Sequence, residues 1–89
     1  MKDVKELEKQ MKALANKRRL MILKYLKKIR DVSVGDIAEE IRLSFKATSK
    51  HLGILYAAGI LEKEQSGLTI FYHLAEEQHV ATKHVLASL

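Results

Sequence analysis

Cysteine is absent from this chain of 89 residues, which excludes disulfides, thiolate metal sites and thiol redox switches. Proline is absent too, so the ends of helices have to be read from caps and periodicity alone. Long apolar runs are missing: within the first thirty residues nothing exceeds Leu20-Met21-Ile22-Leu23, and lysines surround it. Neither a signal peptide nor a membrane span fits that pattern, and a cytoplasmic protein is expected. There is no internal repeat and no low-complexity stretch. Nor is there a glycine-rich phosphate loop, a nucleophile elbow or a clustered acid pair, so the chain offers an enzyme nothing to work with.

What remains is enough for one small core. Hydrophobic residues make up 47% of the chain, and at this length they build a single domain of marginal stability. Without disulfides or a thiolate-bound metal, the usual additional support is association of subunits, so a dimer is expected.

The formal charge is +5, and its distribution says more than its total. Between Lys12 and Lys50 there are eleven basic residues against four acidic ones, a net of +7, while the rest of the chain carries −2. A positive field in mid-chain suits a polyanionic partner. A solvated lysine-rich surface is the plainer reading of the same count.

Periodicity gives five helices and one hairpin. Val4, Leu7, Met11 and Leu14 form one apolar stripe on a charged helix at about 3–14. Asn16 caps a second helix at about 17–29 whose apolar residues cover more than one face, marking it as the central one. Lys17, Arg18 and Arg19 stand in its first turn, where the helix dipole disfavours cations, so they hint at an anionic partner or an acidic neighbour in the fold. Ser33 and Asp36 read as a capping box opening a third helix on Val34, Ile37, Ala38 and Ile41. Only Arg42 and Leu43 separate it from Ser44, the cap of a fourth helix with Thr48, Leu52 and Leu55 inward. That helix stops at Gly59, which can take the left-handed conformation of a C-terminal cap. Strands at about 60–65 and 68–74 flank Ser66-Gly67, a hairpin turn signal. A last helix is expected at about 76–88 with Ala81, Val85 and Leu89 on one side. The fold class is therefore mainly α with a small β-hairpin: a winged helix-turn-helix of five helices plus a two-stranded wing, with the helix-turn-helix at about 33–58 and the wing at about 60–74.

Leu14-Ala15-Asn16, Arg19-Leu20 and Ile22-Leu23 resemble the opening of an ArsR-type regulator. The likeness continues through Val34, Asp36-Ile37-Ala38, Leu43-Ser44, Ser49-Lys50-His51-Leu52, Leu55, Ala58-Gly59-Ile60-Leu61 and Phe71-Tyr72-His73-Leu74, covering about residues 11–75. The resemblance implies a transcriptional regulator, by family tendency a repressor. It also implies a homodimer joined through the first and last helices, each subunit presenting its fourth helix to half of a near-palindromic double-stranded DNA operator.

With Thr48, Leu52 and Leu55 buried, the opposite face of the fourth helix carries Lys46, Ser49, Lys50 and Gly53, the candidates for reading bases. Lysine can donate to guanine O6 and N7, serine can pair with several base edges, and glycine lets the helix approach the groove closely. The plainer reading of Lys46 and Lys50 is two solvated lysines. His51 matches a family position near the phosphate backbone and is equally a packing residue. Ser44 opens a helix N-terminus where backbone N–H groups can meet a phosphate, or serves only as a cap. Two departures from the family stand out. The wing tip Ser66-Gly67-Leu68-Thr69 lacks the arginine common in relatives, and Phe45 stands where polar groove-contacting residues are usual; it either touches a thymine methyl group or packs on the preceding helix, and packing is the favoured reading.

Relatives that sense metals carry two cysteines in the third helix, where this chain has Ser33 and Gly35. His79 and His84 sit on the last helix, five residues and about 140° apart, so they do not share a face. His73 reads as a surface or hairpin residue, and no metal or cofactor is expected. Any effector would be a small organic molecule, a protein, or nothing beyond the concentration of the protein itself. The rival classes are a winged-helix module that grips a protein and a non-specific nucleic-acid binder.

Overall fold

The computed structural model describes residues 2–89, and of Lys2 the backbone only. Helix α1 spans Lys2–Leu14, α2 Lys17–Lys28, strand β1 Val32–Ser33, α3 Val34–Ile41, α4 Phe45–Ala57, β2 Leu61–Ser66, β3 Thr69–Leu74 and α5 Val80–Ser88.

Helix α2 starts where Asn16 accepts a hydrogen bond from the Arg19 backbone N–H at 3.1 Å. Its Ile22, Leu23 and Leu26 are buried at the centre of a core shared with Ile37 and Ile41 of α3, Leu52 and Leu55 of α4, and Ile60, Leu61 and Tyr72 of the hairpin. The basic first turn of α2 turns out to have partners inside the fold. Arg19 donates from Nε to the Ala13 carbonyl at 2.6 Å and from Nη2 to the Lys12 carbonyl at 3.1 Å, and Arg18 Nη1 donates to the Ile41 carbonyl at 2.9 Å. Those carbonyls end α1 and α3, the negative poles of two helix dipoles, so the unfavourable placement is offset by two favourable ones. The arginines need no external anion to explain them.

Ser33 and Ser44 cap α3 and α4 through bonds from the Asp36 and Ala47 N–H groups, as the sequence indicates. Arg42 takes a left-handed φ of 55°, which turns the chain between the two helices within three residues. At the far end of α4, Gly59 (φ 78°) donates to Tyr56 at 2.9 Å and Ile60 to Leu55 at 3.0 Å, with Ile60 fully buried in the same core. That is a complete Schellman stop, and it aims the chain into the wing.

Three boundaries differ from the sequence reading. The wing is a three-stranded antiparallel sheet of order β1-β3-β2, because Val32 and Ser33 pair with Tyr72 and Phe71. The hairpin loop is Gly67-Leu68, one residue later than expected, since Ser66 pairs with Thr69. Gly67 has φ 63° while Leu68 keeps a negative φ, the pattern of a type II′ turn. The last helix begins at Val80 and not near residue 76: Gln78 donates its side-chain amide to the Ile60 and Ala75 carbonyls, and the His79 ring accepts from the Ala81 N–H at 3.0 Å, capping α5.

Helices α1 and α5 pack on each other, α1 also against α4 and α5 against α2. Gln10, on α1 and only 3% exposed, donates to the Ala58 carbonyl at 2.7 Å and accepts from the Thr82 hydroxyl of α5. Burying Gln10 and Ala13 turns Val4, Leu7 and Met11 outward, with Val4 64% and Met11 58% exposed, along an almost wholly apolar groove.

Candidate nucleic-acid interface

Helix α4 is held from one side only. Thr48, Leu52 and Leu55 are fully buried against α2, α3 and the wing, and the spacing of those three residues fixes what faces away. Lys46, Lys50 and Gly53 are exposed and Ser49 is half-buried. Their spacing of three and four puts them on a stripe about 10 Å long. The structure thus brings four of the six candidates together. An α-helix fits the major groove of B-DNA, and two cations with a hydroxyl between them offer donors for guanine and adenine edges. A Cβ built at Gly53 meets nothing within 4 Å, so nothing in the isolated protein requires glycine there.

Ser44 sits at the N-terminal end of the stripe, its hydroxyl engaged at 3.1 Å by the Ala47 N–H. Helix geometry leaves the first-turn N–H groups beyond it without partners in the helix, pointing outward from the same end. His51 is turned the other way. Its Nδ1 lies 3.2 Å from Arg19 Nη1, and burial, followed by the positive charges of Arg19, Arg18 and Lys50, pushes its pKa below the ordinary imidazole range. Arg19 can only donate, so Nδ1 accepts and the proton of the neutral ring sits on Nε2. His51 therefore joins α4 to the arginine that closes α1, and its capacity toward a phosphate is that of a neutral donor.

Phe45 departs from the favoured packing reading: it is 61% exposed and lines a groove together with Val34 and Gly35 of α3 and Leu68, Thr69 and Ile70 of the wing, and Leu68 at the wing tip is fully exposed. His73, read as a surface or hairpin residue, lies in β3 of the hairpin and is not on the surface: it is 9% exposed, with Nδ1 3.0 Å from Asp31 Oδ1 and Nε2 3.1 Å from Glu62 Oε1. It ties the wing to the turn before β1. On the outer strand of the wing, Lys63 Nζ stands 4.3 Å from the centre of the Tyr56 ring, a cation–π contact that braces the hairpin against α4. Strand alternation places Glu62 opposite His73, but the left-handed turn that delivers Asp31 has no local signal in the sequence.

His79 is engaged in capping α5 and His84 is exposed. Among the described residues, no group of three or more His, Asp or Glu side chains is placed to hold a metal ion. No helix among them is long and apolar enough to cross a membrane.

This arrangement has known counterparts. Residues 16–63 match the family model described as bacterial regulatory protein, arsR family. The transcriptional activator HlyU of Vibrio cholerae is 35% identical over 79 residues, covering 89% of this chain and 72% of HlyU. Its solved structure superposes with a TM-score of 0.82 at 31% identity, over 98% of this chain and 90% of that one. The transcriptional repressor BigR of Xylella fastidiosa gives a TM-score of 0.77 at 31% identity, over 97% and 82% of the two chains. Mb0332 of Mycobacterium bovis, described as a homodimeric winged helix-turn-helix DNA-binding domain, gives 0.81 at 27% identity, over 96% and 75%. HlyU and BigR are transcriptional regulators and not enzymes. The chain belongs to the arsR family of bacterial regulatory proteins, DNA-binding transcriptional regulators built on the winged helix-turn-helix.

Proposed function

We propose that the protein is a cytoplasmic repressor that binds a near-palindromic DNA site as a homodimer, with α4 of each subunit in the major groove. Lys46, Ser49 and Lys50 contact base edges, Gly53 allows close approach, and the start of α4 at Ser44 meets a phosphate. His51 holds α4 in place through Arg19. The exposed stripe on a helix whose other face is completely buried carries this reading, since that face has no role in the fold. The outward apolar residues Val4, Leu7 and Met11 support pairing of subunits through α1 together with α5. In that dimer the half-sites lie about 34 Å apart or a multiple of it. Repression fits a regulator that acts by occupying its site, as the name of BigR says of that protein, whereas HlyU is named an activator.

The test is binding to a duplex from upstream of the protein's own gene and to a scrambled duplex, at two salt concentrations, followed by a reporter assay. Preference for the native duplex by about a thousandfold, falling steeply with salt, is the expected result. Equal salt-dependent binding to both favours a non-specific binder, and no binding to either favours a protein-gripping module. Reporter output that rises with the protein reverses the sign assigned here.

A further inference from the structure

Between α4 and the wing lies a groove of about 390 Å³, lined by Val34, Phe45, Ser49, Leu68, Thr69 and Ile70 among others, all with uncharged side chains. Ser49 belongs both to this groove and to the stripe of Lys46, Lys50 and Gly53, so the groove continues the DNA-facing surface without a break. Two of its apolar side chains are left in water: Phe45 is 61% and Leu68 fully exposed. Neither supports the core, and neither can hydrogen-bond to a base or a phosphate.

Phe45 is the first residue of α4, and the N-terminal residues of a recognition helix are those that approach base edges. Along the major groove the edges of the four bases carry donors and acceptors, with one apolar group among them, the 5-methyl of thymine. An exposed phenyl ring at that position, in an uncharged groove with the wing tip on its far side, matches that group and no other feature of the groove. We propose that Phe45 is a specificity-determining residue that packs on the 5-methyl group of a thymine in each half-site, in a groove closed by Leu68 of the wing. This rests on the DNA-reading role of α4 proposed above. It gives the neutral wing tip a part in recognition that does not depend on an arginine.

Duplexes selected from a random library by the full chain supply the probe. Each thymine is then replaced in turn by deoxyuridine, which removes the methyl group alone, and affinities are measured for the wild type, Phe45→Ala and Phe45→Leu. For at least one thymine per half-site, the replacement should weaken the wild type about fourfold, the worth of one buried methyl group. It should leave Phe45→Ala unaffected, and Phe45→Leu should keep part of the dependence. Because Phe45 is exposed, both variants should melt with the wild type.

A preferred sequence with no thymine-to-deoxyuridine effect, or an effect as large in Phe45→Ala as in the wild type, overturns the proposal alone. A library that yields no preferred sequence overturns it together with the reading it rests on. A Phe45→Ala variant with a changed oligomeric state by sedimentation assigns the groove to a second copy of the chain and overturns it as well.

Discussion

Gly53→Ala adds a methyl group to the outer face of α4, where the built Cβ has nothing within 4 Å. The position is in the interior of a 13-residue helix, where glycine is about 0.8–1 kcal/mol less favourable than alanine. With no clash to offset that gain, the variant should be more stable by about 1 kcal/mol, raising Tm by about 4–8 °C for a domain of this size. DNA binding should move the opposite way. If glycine is there so that the helix backbone can come close to the groove, the methyl group holds the helix off and weakens every contact along the stripe, by about tenfold or more, or about 1.4 kcal/mol. Thermal unfolding followed by circular dichroism and a fluorescence anisotropy titration on one duplex measure both. A raised Tm with unchanged affinity refutes the close-approach argument, and a lowered Tm refutes the claim that nothing in the fold requires glycine.

Ser49→Ala and Lys50→Ala should each reduce specific binding by about 1–3 kcal/mol and relax preference at one base position; unchanged affinity and preference in both would remove α4 from the interface. Met11→Glu, placed on the exposed stripe of α1, should turn a dimer into a folded monomer by sedimentation, whereas Val85→Glu or Leu86→Glu would also disturb the core those half-buried residues pack against. Because the fold lowers the pKa of His51, the unfolded chain takes up that proton first as pH falls. The wild type should therefore lose stability relative to His51→Gln as pH drops through about 6.5, levelling off below the folded-state value, and parallel pH profiles would contradict the lowering of its pKa by burial and the neighbouring cations. Gln10→Leu leaves the Ala58 carbonyl and the Thr82 hydroxyl without their partner and should lower stability by about 1–3 kcal/mol, checked by urea unfolding, with Gln10→Leu plus Thr82→Val recovering part of the loss.

Elements announced by neighbours in sequence were legible. Asn16, Ser33 and Ser44 cap their helices, Gly59 ends α4 in the left-handed conformation, and the buried trio Thr48, Leu52 and Leu55 fixes which side of α4 is free. What escaped depends on residues far apart in the chain. Strand β1 is two residues long, too short to show alternation, and exists because Tyr72 and Phe71 offer it an edge. Glu76 and Glu77 look like the first turn of a helix, yet Gln78 is drawn to the Ile60 carbonyl eighteen residues earlier and keeps the chain irregular until His79 caps α5. For Phe45 the sequence leaves packing on the preceding helix and contact with a thymine methyl both open, and only the assembled fold shows that the ring stays 61% exposed.

The same distinction applies to charge. Seven net positive charges between Lys12 and Lys50 suggest a long phosphate contact, but the structure divides those cations by task. Arg18, Arg19 and Lys27 donate to main-chain carbonyls, at Ile41, at Ala13 and Lys12, and at Leu86. They contribute to the long-range field that draws a polyanion in, yet contacting a phosphate directly would mean breaking bonds that close α1 and α3 or bind α2 to α5. Lys46 and Lys50 carry no such duty: they stand exposed on α4, and no salt bridge is found for either among the described residues. Salt dependence should accordingly follow cations that are free to meet a phosphate, its slope falling by about 0.9 for each such contact removed, whereas loss of Lys46 or Lys50 from a base edge should cost affinity and sequence preference. Replacing Arg18 or Arg19 should instead lower stability first, and affinity only as a consequence of a loosened α4.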